Sequence, residues 1–302
     1  MAHIKRLVRE VKRYHNEMES DKDEQLIYYF PQENNLEVGY ALIIGPDDTP
    51  YHNCFYLVKM TYSRDYPNVP PKCEYMATSG IRQSPNLYED GKICLSLIGT
   101  WGTSTWKASK GFLQILKSIQ AMVLVKNSLD CEPPYDYSVD VSDTSKYRNA
   151  MDYEEIVRYT SLRYNTVRLY HKSAAPADIH VQIQKVISGH IKKHYKWYIK
   201  HLTKLVAKHE NKKYTCTVYT TTHDIKTKYS QVMTELKDFL LEIGIDADEI
   251  EQVHSEAKRD IIKSNLTVKT CKITKIKKSF PSITIDQNKP KITIKMKTKK
   301  QD

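Results

Sequence analysis

The 302-residue sequence predicts an α+β fold: a helix, a four-stranded antiparallel meander, a central helix, further helices and a basic extension. Three observations predict it. Residues 1–20 carry an amphipathic helical pattern, with Ile4, Leu7, Val8 and Val11 on one face and Lys5, Arg6, Arg9 and Lys12 around the other. Short apolar or alternating runs follow at 26–30, 38–44 and 54–62, parted by turn clusters such as GPDDTP (45–50). A mostly apolar segment, GFLQILKSIQAMVLV (111–125), then shows helical spacing at Leu113, Leu116, Ile119, Gln120 and Val123, and should pack across the sheet.

The remaining elements fall around these. YPNVPPKCEY (66–75) has three prolines in six residues, so the chain must leave the sheet there, with only a short edge strand after it. KNSLDCEPPYDY (126–137) reads as a loop. Helical patterns cover 143–172 and 177–208, broken by AAPAD (174–178). The Thr- and Tyr-rich stretch 211–229 fits a hairpin, and 231–244 and 247–263 fit two helices with Gly244 as a stop. The end alternates Lys or Thr with apolar residues, which suits either a strand-forming arm or a disordered tail. The chain divides into a core over 1–208 and an accessory region over 209–302, Lys-rich from about 261.

Composition narrows the class. The six cysteines (Cys54, Cys73, Cys94, Cys131, Cys216, Cys271) include no C-x-x-C pair, which argues against a disulfide framework or a zinc knuckle. The only metal-like spacing is His190 and His194, without an acidic third ligand, so no metal site is expected. No apolar stretch is long enough to span a bilayer, and the first twenty residues lack the apolar region of a secretory signal. A soluble, cytoplasmic protein with free thiols is the expectation. The net charge of +11 is concentrated late: residues 261–302 hold twelve lysines against Asp286 and Asp302. That tail admits nucleic-acid contact or nuclear entry, and the lysine ladder Lys192, Lys196, Lys200, Lys204 and Lys208 reads first as a solvated helix face.

One stretch carries chemistry: SPNLYEDGKICLSLIGTW, 84–101. Cys94 follows a Pro-Asn turn and an Asp-Gly turn, a setting no other cysteine of the chain shares. A thiol at a turn with few apolar neighbours on one side can ionise and act as a nucleophile. Ser84-Pro85-Asn86, then Tyr88, Gly91 and Cys94, resembles the ubiquitin-conjugating enzymes. That family places Tyr two residues, Gly five and its active cysteine eight residues after the Asn of a His-Pro-Asn turn. GPDDTPYHNCFYL (45–57) and Tyr66-Pro67…Pro70-Pro71 resemble two further family blocks, and the likeness spans about 10–197. It is strongest to the divergent class of hybrid conjugating-enzyme/ligase proteins, which likewise lacks the histidine replaced here by Ser84.

The resemblance implies a ubiquitin-conjugating (UBC-like) fold and a transferase that takes ubiquitin from an activating enzyme as a thioester on Cys94. The ubiquitin then passes to a substrate lysine, with the Asn86 amide donating to the oxyanion and Glu132 or Asp130 helping the incoming amine. Lys5, Arg6 and Arg9 on the first helix would meet the activating enzyme. No cofactor is implied, since ATP is used upstream. Asn68, where the family usually has a large apolar residue, and the lengthened 100–111 loop point to transfer without a separate ligase. A catalytically inactive ubiquitin-binding scaffold, and a nucleic-acid-binding protein working through the tail, are the competing readings. High Lys, Ile, Asn and Tyr usage suits an A/T-rich coding genome, a protist or a large virus; a viral source would place the protein in host cytoplasm or virion.

Overall fold

The computed structural model describes residues 2–19, 26–131 and 144–279. The order is α1 (Ala2–Glu19), β1 (Ile27–Pro31), β2 (Val38–Ile44), β3 (Phe55–Thr61), β4 (Lys72–Tyr75), α2 (Phe112–Met122), α3 (Thr144–Tyr164), α4 (Val167–His171), α5 (Ala177–His209), β5 (Lys213–Val218), β6 (Thr221–Lys226), α6 (Tyr229–Glu242) and α7 (Ala247–Ser279). The first four strands form the antiparallel meander β1-β2-β3-β4, and β5-β6 is a separate hairpin. This is the α+β architecture the sequence predicts, with β4 as the short edge strand after the prolines.

Register assigns the two faces of the sheet. Ile27, Tyr29, Ala41, Ile43, Tyr56 and Val58 share one face through the pairs Ile27↔Ile43, Tyr29↔Ala41, Ile43↔Tyr56 and Ala41↔Val58. That face receives α2, where Tyr29 stacks on Phe112 with ring centroids 4.0 Å apart, and α3, where the Tyr56 hydroxyl donates to Ser161 Oγ at 2.7 Å. The other face, with Tyr40, Leu42, Ile44, Phe55 and Leu57, is just as dry. It lies under α5, whose Ile179, Ile183, Ile187 and Ile191 are fully buried and whose His190 ring meets Phe55 edge-on at 5.5 Å. Covering both faces explains why β2 and β3 read as almost continuous apolar runs rather than alternating ones.

Three details differ from the sequence reading. On α1 Ile4, Leu7 and Val11 face the core as expected, but Val8 is 52% exposed, and His3 and Tyr14 are buried with Leu7. Tyr14 wins because its hydroxyl donates to the Ile27 carbonyl and accepts from the Tyr29 N–H, docking α1 on β1. The helical pattern over 143–172 is split at Asn165, whose carbonyl accepts from the Phe55 N–H at 2.7 Å and whose side chain accepts from Thr78 Oγ1 at 2.8 Å. Those are tertiary bonds that periodicity cannot register. Finally, residues 264–279 continue α7 instead of forming a strand arm, because a started helix adds one backbone bond per residue. The start of α7 is firm: Asp246 Oδ1 accepts from the Asp248 and Glu249 N–H groups at 2.9 and 3.2 Å. Residues 280–302, the end of the Lys-rich tail, lie outside the described residues.

The elements after residue 209 pack on α3 and α5, and Val218, Leu236 and Val253 belong to the same continuous core as Leu7 and Leu42. Among the described residues no helix is long and apolar enough to cross a membrane, and no group of three or more His, Cys, Asp or Glu side chains could hold a metal ion.

Candidate active site

Beyond β4 the chain builds two consecutive turns. In the first, the Leu87 N–H donates to the Ser84 carbonyl at 2.9 Å, and Ser84 Oγ accepts from the Asn86 N–H at 3.2 Å. A serine closes this turn by itself, so it can stand where the family has histidine. In the second, the Gly91 N–H donates to the Tyr88 carbonyl at 3.1 Å and Asp90 Oδ1 accepts from the Lys92 N–H at 2.9 Å. Gly91 has φ +90°, and an added Cβ would lie 2.6 Å from the Tyr75 carbonyl oxygen. Only glycine fits that backbone and that approach to β4, where the Tyr75 N–H donates to the Gly91 carbonyl at 2.8 Å.

The two turns bring Asn86 and Cys94 into reciprocal contact. The Cys94 N–H donates to the Asn86 carbonyl at 2.9 Å, and Asn86 Nδ2 donates to the Cys94 carbonyl at 3.1 Å. The thiol itself donates to the Thr100 carbonyl at 3.7 Å, and Thr100 Oγ1 accepts from the Leu95 N–H at 2.9 Å, folding the Gly99–Thr100 edge over the thiol. Cys94 is therefore more enclosed than the sequence suggests, at 4% exposure, yet it stands outside the apolar core that takes Ile93 and Leu95 on either side. Burial pushes the Cys54 thiol up, and pushes Cys73 and Cys216 up to about 12, so those three stay protonated and inert at neutral pH. Tyr88 borders the thiol. Burial, and then hydrogen bonding to Cys94, hold its phenol above the ordinary tyrosine value.

The other sequence candidates scatter. Lys5 and Arg9 are exposed on α1, but Arg6 is bound: it pairs with Glu10 and donates to the Lys110 carbonyl at 2.9 Å. Glu10 also accepts from the Tyr66 hydroxyl at 2.7 Å and from the Phe112 N–H at 3.1 Å, so it caps α2 across the fold. Asp130 lies on the turn Ser128–Cys131 that follows α2; Glu132 lies outside the described residues. The loops over 66–71 and 100–111 meet each other. Trp106 Nε1 donates to the Pro67 carbonyl at 2.7 Å, beside exposed Asn68, and Val69 and Trp101 are also exposed there. His190 and His194 stack at 4.3 Å, with His190 Nε2 bound to Asn53 Oδ1 at 2.8 Å.

Sequence reasoning missed Arg82. It is 5% exposed, with Nε and a terminal nitrogen both donating to the Pro85 carbonyl and its guanidinium 3.5 Å from the Tyr88 ring centroid. An arginine four residues before Asn86 gives no periodic or motif signal; only the folded turn shows what it holds.

A cysteine bound to an asparagine on the preceding turn, at the end of a meander backed by a central helix, has the layout of a conjugating-type fold. Comparison with known proteins agrees. The family model described as "Ubiquitin-conjugating enzyme" matches residues 6–160, and the chain belongs to the ubiquitin-conjugating enzyme family. Among its relatives is ubiquitin-conjugating enzyme E2 Z of Xenopus tropicalis, 33% identical over 132 residues, 43% of this chain and 42% of the relative. Another is putative ubiquitin-conjugating enzyme E2 39 of Arabidopsis thaliana, 38% identical over 135 residues, 43% and 42% of the two chains. The human dual E2 ubiquitin-conjugating enzyme/E3 ubiquitin-protein ligase BIRC6 is 34% identical over 138 residues, 44% of this chain but 3% of that protein. The chain thus spans less than half the length of each of these relatives.

Proposed function

We propose that the chain accepts ubiquitin from an activating enzyme onto Cys94 and passes it to lysine amines. The observation that carries this reading is the reciprocal Asn86–Cys94 pair with its thiol outside the apolar core. The Cys94 thiolate attacks the ubiquitin C-terminal carbonyl held on the activating enzyme, a new thioester forms, and the activating enzyme's thiolate leaves. A lysine amine then attacks that thioester. Negative charge gathers on the carbonyl oxygen, where the Asn86 amide, released from the Cys94 carbonyl, donates. The Cys94 thiolate leaves, the amide forms, and the amine's proton goes to solvent or to the carboxylate of Glu132 or Asp130. No cofactor enters these steps. Exposed Lys5 and Arg9 suit an acidic face of the activating enzyme.

The test is a charging reaction with activating enzyme, ATP and ubiquitin. A thiol-sensitive adduct is expected for the native chain and none for Cys94→Ala, while Cys94→Ser should give a thiol-resistant oxyester. An adduct that survives in Cys94→Ala would overturn the assignment. We also propose direct transfer without a separate ligase, supported by Asn68 and by the lengthened loop that Trp106 pins to Pro67. Substrate modification in a reaction lacking any ligase is the expected result, and strict dependence on an added RING protein is the contrary one.

A further inference from the structure

The β5–β6 hairpin lies outside the segment matched to the family, yet it reaches the loop that carries the nucleophile. Asn149 of α3 grips its edge reciprocally: Asn149 Nδ2 donates to the Thr217 carbonyl at 2.9 Å, and the Thr217 N–H donates to Asn149 Oδ1 at 2.7 Å. The Thr215 N–H donates to Asp152 Oδ2 at 3.4 Å, and Cys216 and Val218 are buried. With its edge held on α3, the hairpin delivers its tip to one place. The tip residue Tyr219 has φ +53°, the left-handed region that non-glycine side chains rarely adopt.

What the tip meets is Arg82. The guanidinium carbon sits 4.9 Å from the Tyr219 ring centroid and 3.5 Å from that of Tyr88. Among the described residues no carboxylate lies within ion-pair distance of Arg82. Two aromatic faces and the Pro85 carbonyl take that place, a cation–π arrangement that strengthens as water is excluded. Pro85 immediately precedes Asn86, and the Tyr153 hydroxyl donates to the Arg82 carbonyl at 3.0 Å, so the arginine is held from behind as well.

We propose that Tyr219 is a positioning residue for ubiquitin transfer: it presses Arg82 against Tyr88 and Pro85, and so holds Asn86 and the Cys94 thiol in register. The proposal rests on the thioester reading above. It makes the accessory hairpin a wall of the conjugating site, so the family-matched core is not the whole of the machinery. Formation of the thioester needs the thiolate foremost, while discharge to an amine also needs the Asn86 donor aligned. Discharge should therefore feel a loosened Arg82 more than charging does.

The full chain with Tyr219→Phe and with Tyr219→Leu tests this. Tyr219 is 42% exposed, and leucine keeps apolar bulk without a π face, so both variants are expected to fold, with melting temperature as the check. The Phe variant keeps the ring face over Arg82 and should discharge to lysine faster than the Leu variant. In the Leu variant, discharge of the charged enzyme to free lysine should slow about tenfold, while charging slows less than about threefold, as expected when alignment rather than the nucleophile is lost. The rate of iodoacetamide alkylation at Cys94 at a fixed pH, followed by peptide mass spectrometry, should rise about threefold as the turn around the thiol loosens. Equal discharge and alkylation in the Leu and native chains would overturn the proposal. So would a proportional loss of charging and discharge that tracks a lower melting temperature. Alkylation needs no ubiquitin. If the native chain fails to charge, the thioester reading falls, and the alkylation rate alone decides whether Tyr219 acts on the loop that holds the thiol.

Discussion

Asn86 illustrates what a single side chain does at rest and in reaction. In the resting chain its amide is spent on the Cys94 carbonyl at 3.1 Å. The proposed oxyanion role would be a second use of that same donor, reached by a small swing of the side chain. Asn86→Ala removes both, yet leaves the Cys94 N–H bond to the residue 86 carbonyl. Single-turnover discharge to lysine should fall about a hundredfold, the usual loss for one oxyanion donor, while charging stays within a few-fold. Equal losses in both steps would show that the asparagine only shapes the loop. Cys94, Asn86 and Gly91 stood out in the sequence through the resemblance of their spacing to the family's, and the structure brings them together by short-range contacts: a positive φ at Gly91 and the reciprocal Asn86–Cys94 bonds. Arg82 and Tyr219 are 137 positions apart in the chain and meet only once α3 has placed the hairpin. No window of sequence contains both. The enclosure of Cys94 was likewise invisible, since Thr100 reaches back six residues to cover it.

At the scale of elements, α5 carries a plain periodic signal whose destination the sequence does not give. Its isoleucines at 179, 183, 187 and 191 are spaced by four, which the sequence shows plainly as one apolar face. The destination of that face is the surprise, because it closes the side of the sheet away from α2 and leaves Leu42, Ile44 and Leu57 dry. Ile187→Ala should therefore act as a core truncation. A loss of about 3 kcal/mol in unfolding free energy is expected, within the range for removing a fully buried aliphatic side chain. Lys192→Ala, on the exposed face of the same helix, should change it by less than about 0.5 kcal/mol. Denaturant titration of the two variants separates the cases, and similar small losses for both would mean that α5 rests on the sheet only loosely. Helix α3 gives the opposite lesson: its pattern runs on smoothly past 164, and the break at Asn165 exists only because β3 and the Thr78 loop claim that residue's polar groups.

At the scale of the molecule, the seam between α5 and the sheet holds four histidines. His52 packs on Trp197 at 4.4 Å, Trp197 stacks on His201 at 4.6 Å, and His190 stacks on His194 at 4.3 Å. Burial lowers all four, and pushes His190 down to about 3 and His201 to about 4. The charged groups facing them are mostly of the same sign: Lys193 toward His190 and His194, Arg158 and Lys204 toward His201, with Asp47 the opposing charge at His52 and His194. The sign of the consequence follows directly. His190 and His201 therefore stay neutral in the fold well below the ordinary value of 6.5, near which the unfolded chain takes up their protons. Above that value they add no pH dependence. As the pH falls below it, each histidine kept neutral costs about 1.4 kcal/mol per pH unit until its folded pKa is reached. Melting temperature should be flat from about pH 8 to 7 and drop steeply between about pH 6.5 and 4.5, before most carboxylates titrate. His190→Gln retains a donor for Asn53 Oδ1, which His190 Nε2 now meets at 2.8 Å, without retaining the titration. The variant should lose less stability than the native chain over that window. Parallel curves for the two proteins would show that the acid sensitivity arises elsewhere than in the seam joining α5 to the sheet.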